Sequence, residues 1–266
     1  MNGAADYSLS ICDKKRAILF SRCMSALDIP VHTGAMSDPA RNPSPRIVTI
    51  WSDIGCPWAS LALHTLQAAA ARAGVRLTID HRAFPLELFN RRGTPKPIID
   101  AEIVAIAGLR PELGWQPWTA PDSTYPVTML PALAAVQAAK ADQVGGLVGS
   151  DELDTALRHA FYRDGRCISI LSEIIEVAAS CPSVDAAALD GALARGAGIR
   201  EVHQHWQTAQ SPDISGSPHL FINANHAGLH NPGVDYHWTA PPQDGGVPRF
   251  VSYDSLWAEK VVADIT

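Results

Sequence analysis

Nowhere in the 266 residues do two cysteines stand at the C-x-x-C spacing used by zinc sites and redox dithiols. The five present are Cys12, Cys23, Cys56, Cys167 and Cys181, an odd number at irregular spacing that argues against a disulfide-stapled secreted scaffold and suits a reducing compartment. Basic charge is short as well: Lys plus Arg is 21 against 27 for Asp plus Glu, a net charge of −6. That balance leaves no footprint for a nucleic-acid backbone or an anionic membrane, and neither partner is expected. Long apolar runs are missing too. Leu61 to Ala71 and Met129 to Ala139 are interrupted by His64, Gln67 or Gln137 and fall well short of the ~20 residues of a membrane span. Lys14 to Arg16 followed by Ala17 to Phe20 has the look of a secretory leader. Arg22 breaks that short run and no small-residue cleavage site follows, so the reading is cytoplasmic.

What the chain does have is apolar residues, 47% against 18% charged, spread through most of its length. A soluble globule with a substantial core is expected. Residues 1 to about 45 show no sustained period, and Pro39, Pro43 and Pro45 should hold the stretch from Asp38 to Arg46 extended, so 1–45 reads as a flexible N-terminal extension. Met36 is an alternative start within it.

Ile47 to Trp51 is a β-branched and aromatic run that reads as a buried strand. Cys56 and Pro57 then mark a helix start, because proline at the first helical position sacrifices no hydrogen bond, and the helix should run to Ala73 and stop at Gly74. Val75 to Phe84 follows as a strand. The helices expected next are Ile98 to Leu109, Thr128 to Asp142, Asp151 to Arg163 with Ser150 as its cap, Ile168 to Ser180 and Asp185 to Ala194. After a short helix carrying Val202 and Trp206, a strand is expected over His219 to Asn223. The last helix should be capped by Ser252 and bury Trp257, Val261 and Ile265.

The chemistry centres on Cys56. A cysteine at a helix N-terminus faces unpaired amide N–H groups and the positive end of the helix dipole, which favour a thiolate, the nucleophile of disulfide exchange. Strand, then Ser52-Asp53-Ile54-Gly55-Cys56-Pro57-Trp58-Ala59, then an Ala/Leu helix, resembles the active-site turn of the DsbA-like branch of the thioredoxin superfamily. Gly216-Ser217-Pro218 before the strand at His219 resembles the cis-proline segment that faces the active-site cysteine in that fold. Read alone, the same pair fits an ordinary trans proline opening an edge strand, since only ~5% of X-Pro bonds in folded proteins are cis. The layout is most similar to FrnE-type oxidoreductases, kappa-class glutathione transferases and 2-hydroxychromene-2-carboxylate isomerases. The resemblance covers about Arg46 to Ile265 and implies an α/β thioredoxin-like domain, 46–96 and 200–266, interrupted by a helical domain, 97–199.

The resemblance also implies a site made of Cys56 as nucleophile, Pro57, Trp58 and Ala59 as its motif, and Ser217, Pro218 and His219 as substrate or thiol binders. Ala59 stands where the dithiol members carry their resolving cysteine, which removes any disulfide within the motif. The kappa-class and isomerase relatives have serine in place of Cys56 and use the site to hold glutathione. Three functions follow. The first is monothiol exchange with a protein or small-molecule disulfide. The others are a glutathione-type transferase or isomerase of a small hydrophobic compound, and a binding module without catalysis. No tightly bound cofactor is expected; glutathione or another small thiol is the implied co-substrate, and a homodimer is compatible with the layout.

His203, His205, His219, His226, His230 and His237 crowd the last third, and with Asp235 they raise the idea of a zinc site. No H-E-x-x-H spacing is present, and His203 and His205 point to different faces of a helix, so solvated or pocket-lining histidines are the preferred reading. His219 follows Pro218 directly and would lie near Cys56. Cys12 and Cys23 read as incidental, Cys167 and Cys181 as small buried side chains. Trp115, Trp118, Trp206 and Trp238 read either as core or as the border of a cleft between lobes.

Overall fold

The computed structural model describes residues 47–222 and 228–265. The extension over 1–45, with Met36, Cys12 and Cys23, and also His226 and Asn223, lies outside the described residues.

The central strand β1 (Ile47–Ser52) is buried on both faces from Val48 onward, as its unbroken apolar and β-branched composition requires. It pairs in parallel with β2 (Thr78–Ala83) and antiparallel with β3 (His219–Phe221), opposing Trp51 to His219 and Ile50 to Leu220. The short β4 (Leu229–His230) completes the order β2-β1-β3-β4. Between β1 and β2 runs α1 (Pro57–Ala73). Proline occupies its first turn, and Gly74 ends it in the left-handed region at φ 67, where its N–H reaches back to the last carbonyls. The second strand starts at Thr78, later than its alternation suggests, because Val75 is spent on the helix cap, its N–H bonding Ala70 O at 2.9 Å.

Seven helices separate β2 from β3: α2 (Leu86–Asn90), α3 (Lys96–Leu109), α4 (Leu130–Ala138), α5 (Gly146–Tyr162), α6 (Leu171–Ala179), α7 (Ala186–Ala194) and α8 (Ile199–Thr208). Helices α4, α5 and α8 pack on β2. The chain closes with a hairpin of β5 (Val234–Trp238) and β6 (Pro248–Tyr253), then α9 (Leu256–Ile265) against α1. Two cores result. Val48, Ile50, Leu220 and Ile222 pack with Leu63, Leu66, Trp257 and Val261 on the α1/α9 face. Trp51, Phe84 and Phe221 join the helical segment on the other, where Trp115 stacks on Tyr162 at 4.9 Å and Trp118 packs edge-on to Tyr125 at 5.4 Å.

Two local expectations are corrected. Ser150 does not cap α5, which begins a turn earlier at Gly146; Ser150 is fully buried inside the helix and its hydroxyl donates to Val136 O at 2.9 Å. The start moves to Gly145 because a Cβ there would stand 2.6 Å from Ser183 O, a close approach only glycine allows. Ser252 does not cap the last helix either. Pairing with Asp235 draws it into β6, and Asp254 takes the capping role by accepting from Leu256 N at 2.8 Å. The β5–β6 hairpin lies outside the strands expected from the sequence, although Val234 to Trp238 alternates apolar and polar residues.

Candidate active site

The turn after β1 is held from three directions. Asp53, buried at 2% exposure, accepts from Gly55 N at 2.7 Å with one carboxylate oxygen and from Leu86 N, the first residue of α2, at 2.8 Å with the other. Burial outweighs both amide bonds and pushes its carboxyl up to about 6. From the far side, the amide of Asp53 donates to Ser217 Oγ at 2.9 Å. From below, Tyr162 Oη donates to Ile54 O at 2.7 Å. Gly55 permits the close seat of Met129, whose Cγ a Cβ would meet at 3.0 Å.

Cys56 occupies the N-cap of α1 in an extended conformation (φ −97, ψ 108), so the first amides of the helix point toward its side of the turn. Its sulfur is fully buried and donates to Ser217 O at 3.3 Å. The Ser217–Pro218 peptide is cis. Ser217 thus meets the turn twice, through its hydroxyl at Asp53 and its carbonyl at Cys56. Cys56, Ser217 and Pro218 are brought together as the motif suggests. His219 is buried at the start of β3; its Nδ1 accepts from Ser215 N at 2.9 Å, its ring stacks on Phe221 at 4.8 Å, and Nε2 lies where a Cβ on Gly228 would fall. Those contacts brace the segment on either side of Pro218.

The other motif residues are structural supports. Ala59 is buried in the core beside Cys56. Trp58 is buried, stacks on Tyr236 of β5 at 4.0 Å and donates its indole N–H to Glu102 Oε1 of α3 at 2.9 Å. Burial drives the Glu102 carboxyl up to about 8, against the smaller opposing pull of the Trp58 bond. One turn beyond Cys56, Ser60 Oγ donates to Cys56 O at 3.3 Å and receives Arg158 at 2.8 Å. Beside the turn opens a cleft lined by Asp53, Gly55, Glu87, Ile99, Tyr125 and Met129.

Sequence reasoning missed Asp53, Glu102, Arg158 and Tyr162. A signal existed for Arg158: with Asp154 it places an i,i+4 charge pair on the stripe carrying Leu153, Leu157 and Phe161, a location where charge is retained only for cause. Among the described residues, no group of three or more His, Cys, Asp or Glu is arranged to hold a metal ion. His205 is a core residue whose Nδ1 accepts from Ala83 N at 3.2 Å, and burial pushes its imidazole down to about 3. No helix among the described residues is long and apolar enough to cross a membrane.

A four-stranded sheet with a cysteine at the N-terminus of the first helix, a cis-proline strand across from it and helices inserted between the halves defines a thioredoxin-fold protein of the DsbA type. The chain belongs to the DsbA-like family: the model of the DSBA-like thioredoxin domain matches residues 47–236. No curated protein matches it. Among solved structures, the cytosolic disulfide reductase DsbM from Pseudomonas aeruginosa with GSH is 17% identical over 69% of this chain and 89% of its own, with a TM-score of 0.54. A putative protein disulfide isomerase from Nitrosomonas europaea is 14% identical over 82% and 95%, TM-score 0.55. A probable DsbA oxidoreductase from Streptomyces coelicolor is 17% identical over 82% and 89%, TM-score 0.53. At these identities the likeness shows a shared fold.

Proposed function

We propose that this protein is a monothiol thiol-disulfide oxidoreductase that works through Cys56 on a small disulfide of the glutathione type. The observation that carries the reading is the Cys56 sulfur at the N-cap of α1, 3.3 Å from Ser217 O of the cis-Pro218 segment, with alanine at position 59. The Cys56 thiolate attacks one sulfur of the disulfide; a new S–S bond forms to Cys56, the old one breaks, and the other half leaves as a thiolate. A second small thiol then attacks the mixed disulfide, restoring Cys56 and releasing the first half as a new disulfide. Ser217 and Pro218 present the substrate, and His219 braces them. Burial of the sulfur favours a small disulfide over a folded protein. The structural neighbour described with GSH agrees with that choice of thiol, and five cysteines at irregular spacing suit a reducing cytoplasm.

The test is mass spectrometry of wild type and Cys56→Ser after incubation with oxidised glutathione, then with reduced glutathione. The expected result is one glutathione adduct on the Cys56 peptide, absent in Cys56→Ser and removed by the reduced thiol. A wild type with no adduct at Cys56 refutes the covalent mechanism and leaves a binding module, or a transferase that activates the thiol without bonding to it.

A further inference from the structure

Arg158 of α5 is buried at 4% exposure in the core beneath the active-site turn, where a guanidinium is retained only when fully partnered. It has five N–H donors and each finds an acceptor. Nε donates to Asp154 Oδ1 at 2.6 Å, Nη1 to Asp53 O at 3.1 Å and Ser60 Oγ at 2.8 Å, and Nη2 to Ser52 Oγ at 2.9 Å and Asp154 Oδ2 at 3.2 Å. Three of the five bonds end on the last strand residue, the turn and the first helical turn around Cys56, and Ser60 passes its own bond on to Cys56 O at 3.3 Å. The counter-ion Asp154 lies one turn earlier on the same helix, and the two Nη groups reach from α5 to the residues on either side of Cys56. A hydrophobic residue of similar volume would fill this space with less desolvation cost.

We propose that Arg158 is a positioning residue for the Cys56 chemistry: it fixes the turn through Asp53, Ser52 and Ser60 and supplies the positive field under the sulfur when it carries a negative charge. This rests on the reading of Cys56 as the nucleophile. Burial lowers the Arg158 pKa and is outweighed by Asp154 first, then Tyr162, with Cys56 the smallest of the contributions that raise it. Arg158 does not accept or donate the reacting proton, and with all five donors used it has none left for substrate.

The experiment compares the second-order rate of Cys56 modification by neutral iodoacetamide in wild type, Arg158→Lys and Arg158→Gln, read on the Cys56 peptide by mass spectrometry, with thermal unfolding in parallel. Arg158→Gln is expected to react roughly tenfold more slowly at neutral pH, and Arg158→Lys, which keeps the charge, to recover most of the rate. Because Gln also leaves Asp154 without its counter-ion, the rates are compared at a temperature where thermal unfolding shows all three proteins fully folded. Equal slowing in both variants, or no slowing in either, overturns the proposal. Should Arg158→Gln not fold, the double variant Asp154→Leu with Arg158→Met removes both charges without orphaning either. A wild-type rate in its folded form also overturns the proposal. A Cys56 inert in the wild type overturns the redox reading and this inference with it; a reactive wild type with unchanged variants overturns this inference alone.

Discussion

Replacing Glu102 by Gln tests the strut that joins the helical segment to the motif. Glu102 is 2% exposed, and in the folded protein its carboxyl ionises only near pH 8 instead of 4.5, because burial penalises the charged form. The folded state therefore holds a proton that the unfolded chain has released across that whole interval. Stability from this group is fully present below pH 4.5 and is lost as pH rises toward 8, about 1.4 kcal/mol per pH unit and about 5 kcal/mol over the full window. Gln keeps an oxygen to accept from the Trp58 indole N–H and does not titrate. In urea unfolding at pH 5.0, 6.5 and 8.0, wild type is expected to lose stability relative to Glu102→Gln by several kcal/mol across the series, most of it before pH 8. Asp53 titrates in both proteins over the lower part of the range, its carboxyl raised to about 6, so it cancels in the difference. Parallel pH profiles for the two proteins refute the argument that Glu102 is held neutral.

Two further substitutions address the motif and the frame around it. Ala59→Cys places a second thiol where the dithiol members carry one; under mild oxidant the expected product is an intramolecular Cys56 disulfide in place of the glutathione adduct, seen as the loss of two hydrogens on the motif peptide, and a persisting adduct speaks against the assigned geometry. Because Ala59 is fully buried, the extra atom is expected to cost ~1–3 kcal/mol in chemical unfolding. Gly198→Ala puts a Cβ 2.0 Å from Ala134 O at φ +82, so helix α8 must shift off α4, with a loss of at least ~2 kcal/mol; a neutral result excludes that backbone contact.

The parts of the fold that were legible in the sequence are those whose cause is local. Ile47 to Trp51 declares a doubly buried strand by composition, Pro57 and Gly74 bracket α1 by backbone chemistry, and Trp257 with Val261 shows the face of α9. Ser150 and Ser252 failed because capping was read one residue type at a time, while glycine packing against Ser183 and strand pairing with Asp235 decided the outcome. The β5–β6 hairpin did carry a signal, since Val234, Tyr236 and Trp238 alternate with exposed Asp235 and His237, but the run is only five residues long and lies between prolines and glycines. At the site, the motif residues were readable because they are contiguous. Asp53 to Leu86, Trp58 to Glu102 and Arg158 to Ser52 join positions tens of residues apart, and no period within one helix or strand encodes such a bond.

Those long-range bonds bear on what a single cysteine can do here. In a dithiol protein the second sulfur can resolve the mixed disulfide from within; under the monothiol mechanism proposed above, Ala59 hands that step to an outside thiol. The turn is built to hold its shape meanwhile. Asp53 ties it to α2, Ser217 to β3, Arg158 and Tyr162 to α5, and Trp58 locks the first turn of α1 to both Glu102 and the hairpin. The anchors fall on α2, α3, α5, the hairpin and the Ser217–Pro218 segment, so the turn around Cys56 is fixed from several elements at once.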